Sequence, residues 1–293
     1  MASLVGHVIP GLGFIIIGVW HLFNQIKLHS LHQKSYISLP WFPPPRLRHT
    51  ELVLIMVGSL ASIIIEIVVG PGEFNQMFDL DGTVPYNHLH YFEHAIVSFA
   101  FLTYATFSLI LDWLGYRAQY ISDLTQLLAA SAFGLELFNL NLQYSFDRTG
   151  VEGQYYWLLQ LIVLVIVVTI LVGIVYPRSF WIGVVRSLSI VFQGVWLVTM
   201  GLMLRIPEFV AKGCFLKLDQ EGEYMVRCHT VEALERAKRM VDIEFSWFLV
   251  LLMVIFMGFF VLLINIFPPS KIEYEKLRKC EDDHDDDVEG GLQ

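Results

Sequence analysis

The sequence has few charged residues for its length. Only 16% of its 293 residues are Asp, Glu, Lys or Arg, whereas a soluble domain of this size usually has about 25%. Hydrophobic residues make up 55% of the chain, and the mean hydropathy is +0.58. A surface that faces water throughout needs more charge than this, so we expect much of the surface to face lipid.

Catalytic motifs are also missing. The sequence contains no H-E-x-x-H, no G-x-S-x-G and no glycine-rich phosphate-binding loop. It has no basic stripe of the kind that binds nucleic acid, so no nucleic-acid partner is predicted. The sequence therefore favours a protein without enzymatic activity and leaves the question open.

Long apolar segments, in contrast, are numerous. A spanning helix needs about 20 mostly apolar residues. Seven segments satisfy this requirement, at approximately 4–26, 51–70, 88–111, 123–143, 155–176, 180–204 and 243–267. The sequence predicts an all-α, polytopic transmembrane helical bundle of about seven spans, formed by residues 1–267. The first segment has neither a basic n-region nor an A-x-A site, so we expect an uncleaved span.

The remaining segments are predicted to be connections and a tail. Prolines exclude a helix through 40–45. The loop 205–242 contains VEALERAKRMV, which is typical of a short amphipathic helix. Residues 268–293 form an acidic tail, with nine acidic residues between Glu273 and Glu289, and we expect this tail to be disordered.

The distribution of Lys and Arg predicts the orientation, because short cytoplasmic loops collect basic residues near the ends of helices. The first loop and the tail after the seventh span hold eight of the 19: Lys27, Lys34, Arg46, Arg48, Lys271, Lys276, Arg278 and Lys279. The sixth loop holds seven more, but it is long and also acidic, so it is given less weight. We expect the N-terminus outside or in the lumen and the C-terminus in the cytosol. This arrangement predicts a membrane of the secretory pathway, without distinguishing Golgi, plasma membrane and vacuole. The predicted partners are the lipid bilayer and other membrane proteins or a second copy of the chain.

Two of the three cysteines, Cys214 and Cys228, lie in the long sixth loop, and Cys280 lies in the tail. If the loop is exoplasmic, its two cysteines can form a disulfide in an oxidising lumen. The alternative is that they are two independent thiols. We predict the disulfide.

Polar residues interrupt several spans at one depth. Because successive spans alternate in direction, the start of an odd span and the end of an even span share a leaflet. Eight residues are candidates for a pocket, most of them in the leaflet nearest the N-terminus: His7, Glu66, His90, Glu93, His94, Glu136, Asn139 and the deeper Gln193. Ionisable residues within spans are costly and usually face a bundle interior.

Three interpretations of this polar level stay open. It is a pocket for a ligand, a metal ion or a proton relay; a set of interhelical hydrogen bonds; or residues placed at the membrane interface. His90 and His94 are four residues apart, as two metal ligands on one helix would be, so a metal ion is left open as a cofactor. His21 and Asp112 lie near the opposite surface and His49 in a loop, and none is given a role.

Three motifs, taken together in their order along the chain, resemble those of a known family. They are Gly6-His7-x-x-Pro10-Gly11, Asn87-His88-Leu89-His90 through Glu93-His94, and Arg186-Ser187 followed by Gln193-Gly194-x-Trp196. Together they resemble the transmembrane protein 45 family, also known as domain-of-unknown-function family 716. The segments PWFP, NHLH, GVEGQY and GCF resemble its plant branch, some members of which carry a viral-response label. The resemblance implies a seven-span protein without an established activity.

One departure from the family pattern bears on metal binding. Where relatives carry a His-x-His pair in the fourth span, this chain has Asn139-Leu140-Asn141, and Tyr156 replaces a further histidine. Asparagine is a poor ligand for transition metals. A metal site in this chain would therefore be reduced to His7, His90 and His94.

The sequence therefore predicts a non-enzymatic multi-pass membrane protein that acts in trafficking, stress or defence response, or partner assembly, and that holds a polar pocket near one leaflet. The first alternative is an intramembrane metal-dependent hydrolase that uses His7, His90, His94 and Glu136. The second alternative is a transporter of small solutes or protons.

Overall fold

The computed structural model describes residues 4–43, 48–69, 82–84, 89–115, 119–146, 149–218 and 224–268. Seven α helices and one β hairpin lie within these ranges. They are α1 (Leu4–Leu31), α2 (Thr50–Ile64, continued by a π-helical segment Ile65–Val69), α3 (Leu89–Trp113), α4 (Gln119–Phe146), α5 (Val151–Val175), α6 (Phe180–Arg205), β1 (Cys214–Leu218), β2 (Tyr224–Cys228) and α7 (Val231–Ile266). The prediction of an all-α helical bundle is confirmed.

Six of the described helices are long and apolar enough to cross a membrane. These candidate spans are Gly6–Leu31, Thr50–Val68, Tyr91–Trp113, Val151–Val175, Phe180–Arg205 and Val231–Ile266. The chain is therefore a multi-pass integral membrane protein. The remaining long helix, α4, has 28 residues but is less apolar than these six, so the count of seven spans stays a prediction.

The structure differs from the sequence analysis between residues 205 and 242. The predicted amphipathic helix and the predicted seventh span form one continuous helix, α7, of 36 residues. No proline and no glycine lies between Val231 and Met257, so nothing in the sequence ends the helix where its polarity changes. A β hairpin that was not predicted fills part of the preceding loop. The acidic tail from residue 269 onward lies outside the described residues.

Helices α1 and α6 pack against each other along their lengths through glycines. A Cβ atom added at Gly194 would lie 2.4 Å from the carbonyl oxygen of Gly11, and one added at Gly11 would lie 2.8 Å from the carbonyl oxygen of Gly194. A Cβ at Gly18 would lie 2.7 Å from the backbone nitrogen of Val191. Only glycine allows two membrane helices to approach this closely. We call this contact the glycine seam.

The glycine seam shows that α1 and α6 run antiparallel. His7, near the start of α1, lies beside Gly201, near the end of α6, whereas Gln25 lies beside Gly183. The N-terminus of α1 and the C-terminus of α6 are therefore at one end of the bundle. We call this end the hairpin end, since β1 and β2 follow α6, and we call the opposite end, which carries residues 32–43, the loop end.

The largest hydrophobic core lies where α4, α5 and α6 meet. Trp196 of α6 is fully buried there, and its indole Nε1 donates a hydrogen bond to the carbonyl oxygen of Tyr155 at 3.1 Å. Val226 of the hairpin is 3% exposed and belongs to the same core. The hairpin is therefore packed onto the bundle.

A disulfide closes the open end of the hairpin. Cys214 and Cys228 are paired residues of β1 and β2, and the structure joins them by a disulfide with their Cα atoms 3.9 Å apart. The hairpin is held to the bundle by a hydrogen bond of 3.2 Å from the backbone nitrogen of Val226 to Oε1 of Glu152. Tyr155 adds a contact to α7, because its hydroxyl donates to Oε2 of Glu244 at 3.0 Å.

The glycine seam allows a matched test on α1. We expect Gly11→Ala to lower the free energy of unfolding by roughly 1–3 kcal/mol, because the new methyl group overlaps backbone that cannot rotate away. Gly13→Ala is the control, since a Cβ there meets nothing within 4 Å, and we expect it to be neutral or stabilising. Thermal unfolding of both variants in detergent, followed by tryptophan fluorescence, measures the difference. Equal melting temperatures would contradict the proposed role of the seam.

Candidate functional site

Two of the predicted pocket residues are in direct contact inside the bundle. Gln193 of α6 donates a hydrogen bond from Nε2 to Oε1 of Glu136 on α4, at 2.6 Å. Gln193 is fully buried and Glu136 is 8% exposed. A carboxyl group thus lies in the interior of a membrane bundle, with one amide donor on one of its oxygens.

Three oxygen atoms around this contact have no hydrogen-bond partner among the described residues. They are Oε2 of Glu136, Oε1 of Gln193 and Oδ1 of Asn139, and each is buried. Asn139 lies three residues after Glu136 on α4 and is 7% exposed, so the two side chains lie on the same face of the helix. An unsatisfied buried polar group is destabilising by about 1–3 kcal/mol, so three of them together point to a site that is completed by something else. We call Glu136, Asn139 and Gln193 the acceptor cluster.

His94 lies in a second polar group, nearer the hairpin end. Its Nε2 is 3.0 Å from Nε2 of Gln143 on α4. Gln143 and Glu136 are seven residues apart on α4, which corresponds to about 10 Å along the helix axis. The described contacts therefore form two polar levels rather than a single cluster.

The register between α2 and α3 places Glu66 at the level of His94. His49 contacts Asp112 at 2.8 Å, and Ser98 donates to Ser62 at 2.9 Å. The two helices are therefore antiparallel, and one more turn in this register brings Glu66, in the π-helical segment, opposite His94. Segments of π-helix are frequent at functional sites.

The other predicted pocket residues take different positions. His7 packs beside Gly201 at the hairpin end and is 8% exposed. Glu93 is partly buried on α3, and its Oε2 has no hydrogen-bond partner among the described residues. His90 belongs to the first turn of α3, and its side chain lies outside the described part of the structure, as does all of His88.

A metal ion bound by histidine, cysteine and carboxylate side chains requires several of them in one place. Within the described residues, no three side chains of these types are grouped closely enough to hold a metal ion. The acceptor cluster is a different kind of donor set, with one carboxylate and two amide oxygens. Such oxygens suit hard cations and hydrogen-bond donors rather than soft transition metals.

A second buried polar network, which the sequence analysis did not predict, lies at the loop end. Arg186 of α6 is 4% exposed and donates three hydrogen bonds. Its Nη1 donates to Oε1 of Gln126 at 3.2 Å, and its Nη2 donates to Oγ of Ser38 at 2.9 Å and to the carbonyl oxygen of Leu39 at 3.1 Å. Arg186 therefore binds the first loop to the inside of the bundle.

Gln25 and Tyr36 complete this network. Gln25, which packs on Gly183, donates from Nε2 to Ser38 Oγ at 3.0 Å and accepts a hydrogen bond from the hydroxyl of Tyr36. Burial raises the pKa of Tyr36 to about 12. The hydroxyl of Tyr36 therefore keeps its proton throughout the physiological range and remains a donor to Gln25.

The expectation that His21 has no role is wrong. This residue is 5% exposed, and its Nε2 lies 2.6 Å from Oε1 of Glu51. The other carboxylate oxygen of Glu51 accepts a hydrogen bond from the backbone nitrogen of Phe42 at 3.0 Å. Asp112 is also paired, with His49 and with Arg48. The paired residues are far apart in the sequence, so no local pattern could identify them.

A sequence signal existed for Arg186. It is the only Lys or Arg between residues 180 and 204, and an ionisable residue inside a span is a functional or structural site by default. Arg186 was considered above only as part of a family motif.

Residues 122–261 match the sequence profile of a family of unknown function, DUF716. This match supports the assignment of the chain to this family. The matched region begins in α4 and ends in α7, so it contains the acceptor cluster, Arg186 and the disulfide hairpin. No curated protein matches the chain. The match supports the resemblance drawn from the motifs, without distinguishing a plant branch.

Arg186 offers a test of the network at the loop end. Arg186→Lys keeps the charge but loses the planar fork that reaches Gln126 and the first loop together. We expect the free energy of unfolding to fall by about 1.5–3 kcal/mol, since at least one hydrogen bond to a charged group is lost. The readouts are thermal unfolding and the rate of tryptic cleavage at Lys34, which should increase.

The control is Arg178→Lys, because Arg178 is exposed in the connection between α5 and α6. This variant should unfold like the unmodified protein. If both variants melt at the same temperature, the anchoring role of Arg186 is wrong.

Proposed function

We propose that this DUF716 protein is a non-enzymatic membrane protein of the secretory pathway that binds a small polar ligand in an intramembrane pocket formed by the acceptor cluster. Its cellular role in this proposal is trafficking, stress or defence response, or partner assembly. The observation that carries the proposal is the set of three buried oxygens of Glu136, Asn139 and Gln193 that lack hydrogen-bond donors among the described residues. The plant-type motifs support the stress or defence context.

The interpretation as interhelical hydrogen bonds accounts for less of this geometry. Polar residues that only join helices satisfy each other, as Ser62 and Ser98 do at 2.9 Å. In the acceptor cluster, one hydrogen bond is made and three acceptors are left over. A group that supplies donors or positive charge accounts for this excess.

We also propose that α4 is the seventh span. Its exposed residues include Leu124, Leu127, Leu135 and Phe138, whereas its buried residues include Gln126 and the two α4 members of the acceptor cluster. A helix that is apolar outside and polar inside suits a lipid environment. The connectivity agrees, since α3 leads away from the hairpin end and α5 starts there.

The proposed orientation places the N-terminus and the hairpin outside the cytosol and the acidic C-terminal tail inside it. A disulfide persists in oxidising compartments and is rare in the cytosol. Cys214 and Cys228 lie at the same end of the bundle as the start of α1. The disulfide therefore supports the same orientation as the basic first loop.

The two alternatives receive less support from the contacts. A hydrolase would need histidines and a carboxylate around one reacting centre, whereas His94 contacts Gln143 and Glu136 contacts Gln193. A transporter would need a path that connects the buried carboxyl group to both surfaces. Among the described residues, the contacts given above do not bring the histidines and Glu136 together around one reacting centre.

The pocket is tested by removing both members of its hydrogen bond together. We expect the double variant Glu136→Leu with Gln193→Leu to fold and to melt at or above the temperature of the unmodified protein, because replacing both partners by apolar groups is nearly neutral. We expect it to lose any bound small molecule that native mass spectrometry detects on the purified protein. It should also fail to complement a cell line that lacks the gene.

The control is the pair Ser62→Ala with Ser98→Ala, which removes another interhelical hydrogen bond and should leave ligand retention and complementation intact. If the double leucine variant melts much lower and accumulates poorly, the cluster serves to join the helices. In that case the proposed pocket is wrong.

The orientation is tested with tags and thiol reagents. In unpermeabilised cells, an N-terminal tag should be stained and a C-terminal tag should not. On denatured, non-reduced protein, maleimide should label Cys280 and should reach Cys214 and Cys228 only after reduction. A C-terminal tag that stains without permeabilisation, or free thiols at Cys214 and Cys228, would refute the orientation.

A further inference from the structure

We propose that the acceptor cluster is a binding site for a hard monovalent cation of the sodium class, coordinated by Oε2 of Glu136, Oδ1 of Asn139 and Oε1 of Gln193. This inference rests on the proposed pocket and names its ligand. The three atoms belong to side chains that are at least nine-tenths buried, and none accepts a hydrogen bond from a described residue.

Among the described residues, no basic side chain contacts Glu136, whose hydrogen-bond partner is Gln193. Helices α2, α3, α4 and α5 contain no Lys and no Arg. In α6 the basic residues are Arg186 and Arg205. Arg186 is seven residues from Gln193, or about 10 Å along the axis, and it is engaged with Gln126, Ser38 and Leu39.

The basic residues at the N-terminal end of α1 and at the C-terminal end of α6 do not neutralise Glu136 either. His7 lies at the level of Gly201, eight residues beyond Gln193, or about 12 Å along α6. Arg205 of α6 donates to the carbonyl oxygen of Tyr224 in the hairpin. An isolated carboxylate in a low-dielectric interior is strongly unfavourable, so Glu136 either keeps a proton or is neutralised by a bound cation.

The donor set favours the cation. A proton on Oε2 of Glu136 makes that oxygen a donor to one of the two amide oxygens and leaves the other amide oxygen without a donor. A cation bound between the three side chains would interact with all three oxygens at once. Oxygen atoms of carboxylates and amides are the ligands that hard cations take in proteins.

The charge of the cluster favours a monovalent cation. One carboxylate and two neutral amides carry a single negative charge, so a monovalent ion makes the site neutral. A divalent ion would leave a net positive charge in the interior of the bundle, which is unfavourable for the same reason as an isolated carboxylate. Calcium and magnesium sites usually contain more acidic ligands or water.

The test is isothermal titration of the full-length protein in detergent with sodium chloride, in a choline chloride buffer at mildly alkaline pH. We expect one sodium ion per chain, and a melting temperature that rises with sodium concentration as mass action requires. Glu136→Gln, which keeps the size of the side chain, should abolish both effects. Asn139→Ala should weaken binding by about tenfold, equivalent to about 1.4 kcal/mol.

The matched control is Asn141→Ala. Asn141 lies two residues further along α4 and is exposed, so its removal should leave sodium binding unchanged. Asn139→Asp provides a gain of function, since a second carboxylate should shift the preference of the site from sodium to calcium. Size-exclusion chromatography and circular dichroism establish that each variant is folded.

Two results would overturn the inference. One is the absence of any sodium, lithium or potassium effect on heat or melting, together with an infrared carboxyl band of protonated Glu136 that Glu136→Gln removes. The other is equal sodium binding by Asn139→Ala and Asn141→Ala. If sodium has no effect but native mass spectrometry finds an organic molecule that Glu136→Gln releases, the cation site is wrong and the pocket itself stands.

Discussion

The backbone contact between α1 and α6 determines where the rest of the bundle lies. The two helices are far apart in the sequence, yet Gly194 and Gly11 approach so closely that neither position can carry a side chain. Helices in lipid gain no hydrophobic free energy from association and depend on close packing instead. Because the glycine seam fixes the distance and the register of α6 against α1, it also fixes the depth of every polar residue on α6.

Two polar residues of α6, Gln193 and Arg186, lie at different depths and make different kinds of contact. Gln193, the neighbour of Gly194, reaches Glu136 in α4, and Arg186, three residues beyond Gly183, reaches Ser38 and Leu39 in the first loop. Arg186 makes three hydrogen bonds and Nε2 of Gln126 is the one unpaired side-chain atom around it in the described structure, so the chemistry of this network is mainly that of an anchor. The acceptor cluster has three acceptors in excess, and this excess is the basis of the proposed binding site. One helix thus carries a structural polar level and a candidate functional one.

The sequence predicted the helices well because each span depends on composition over about 20 residues, which is local information. The prediction that Glu136 and His94 share a leaflet used the alternation of spans, which fixes depth only approximately, and the two residues lie in separate contacts about 10 Å apart along α4. The sequence could not predict that Glu136 contacts Gln193, since this requires the register between α4 and α6. The hairpin and the continuous α7 were missed because the polar stretch before Ile243 has the composition of a loop, while its structure depends on packing against α5 and on the disulfide.

The low hydropathy of α4 follows from its position in the bundle. An average over a helix gives the exposed apolar residues, such as Leu127 and Phe138, the same weight as the interior residues Gln126 and Glu136. A helix that supplies polar groups to the interior from both its ends therefore has a lower average than a helix such as α5, although both present apolar side chains outward. Mean hydropathy, which is used to identify spans, is therefore least informative for α4, the helix that places Gln126, Glu136 and Asn139 in the interior. In this protein, the least apolar long helix is for that reason the first place to look for a ligand.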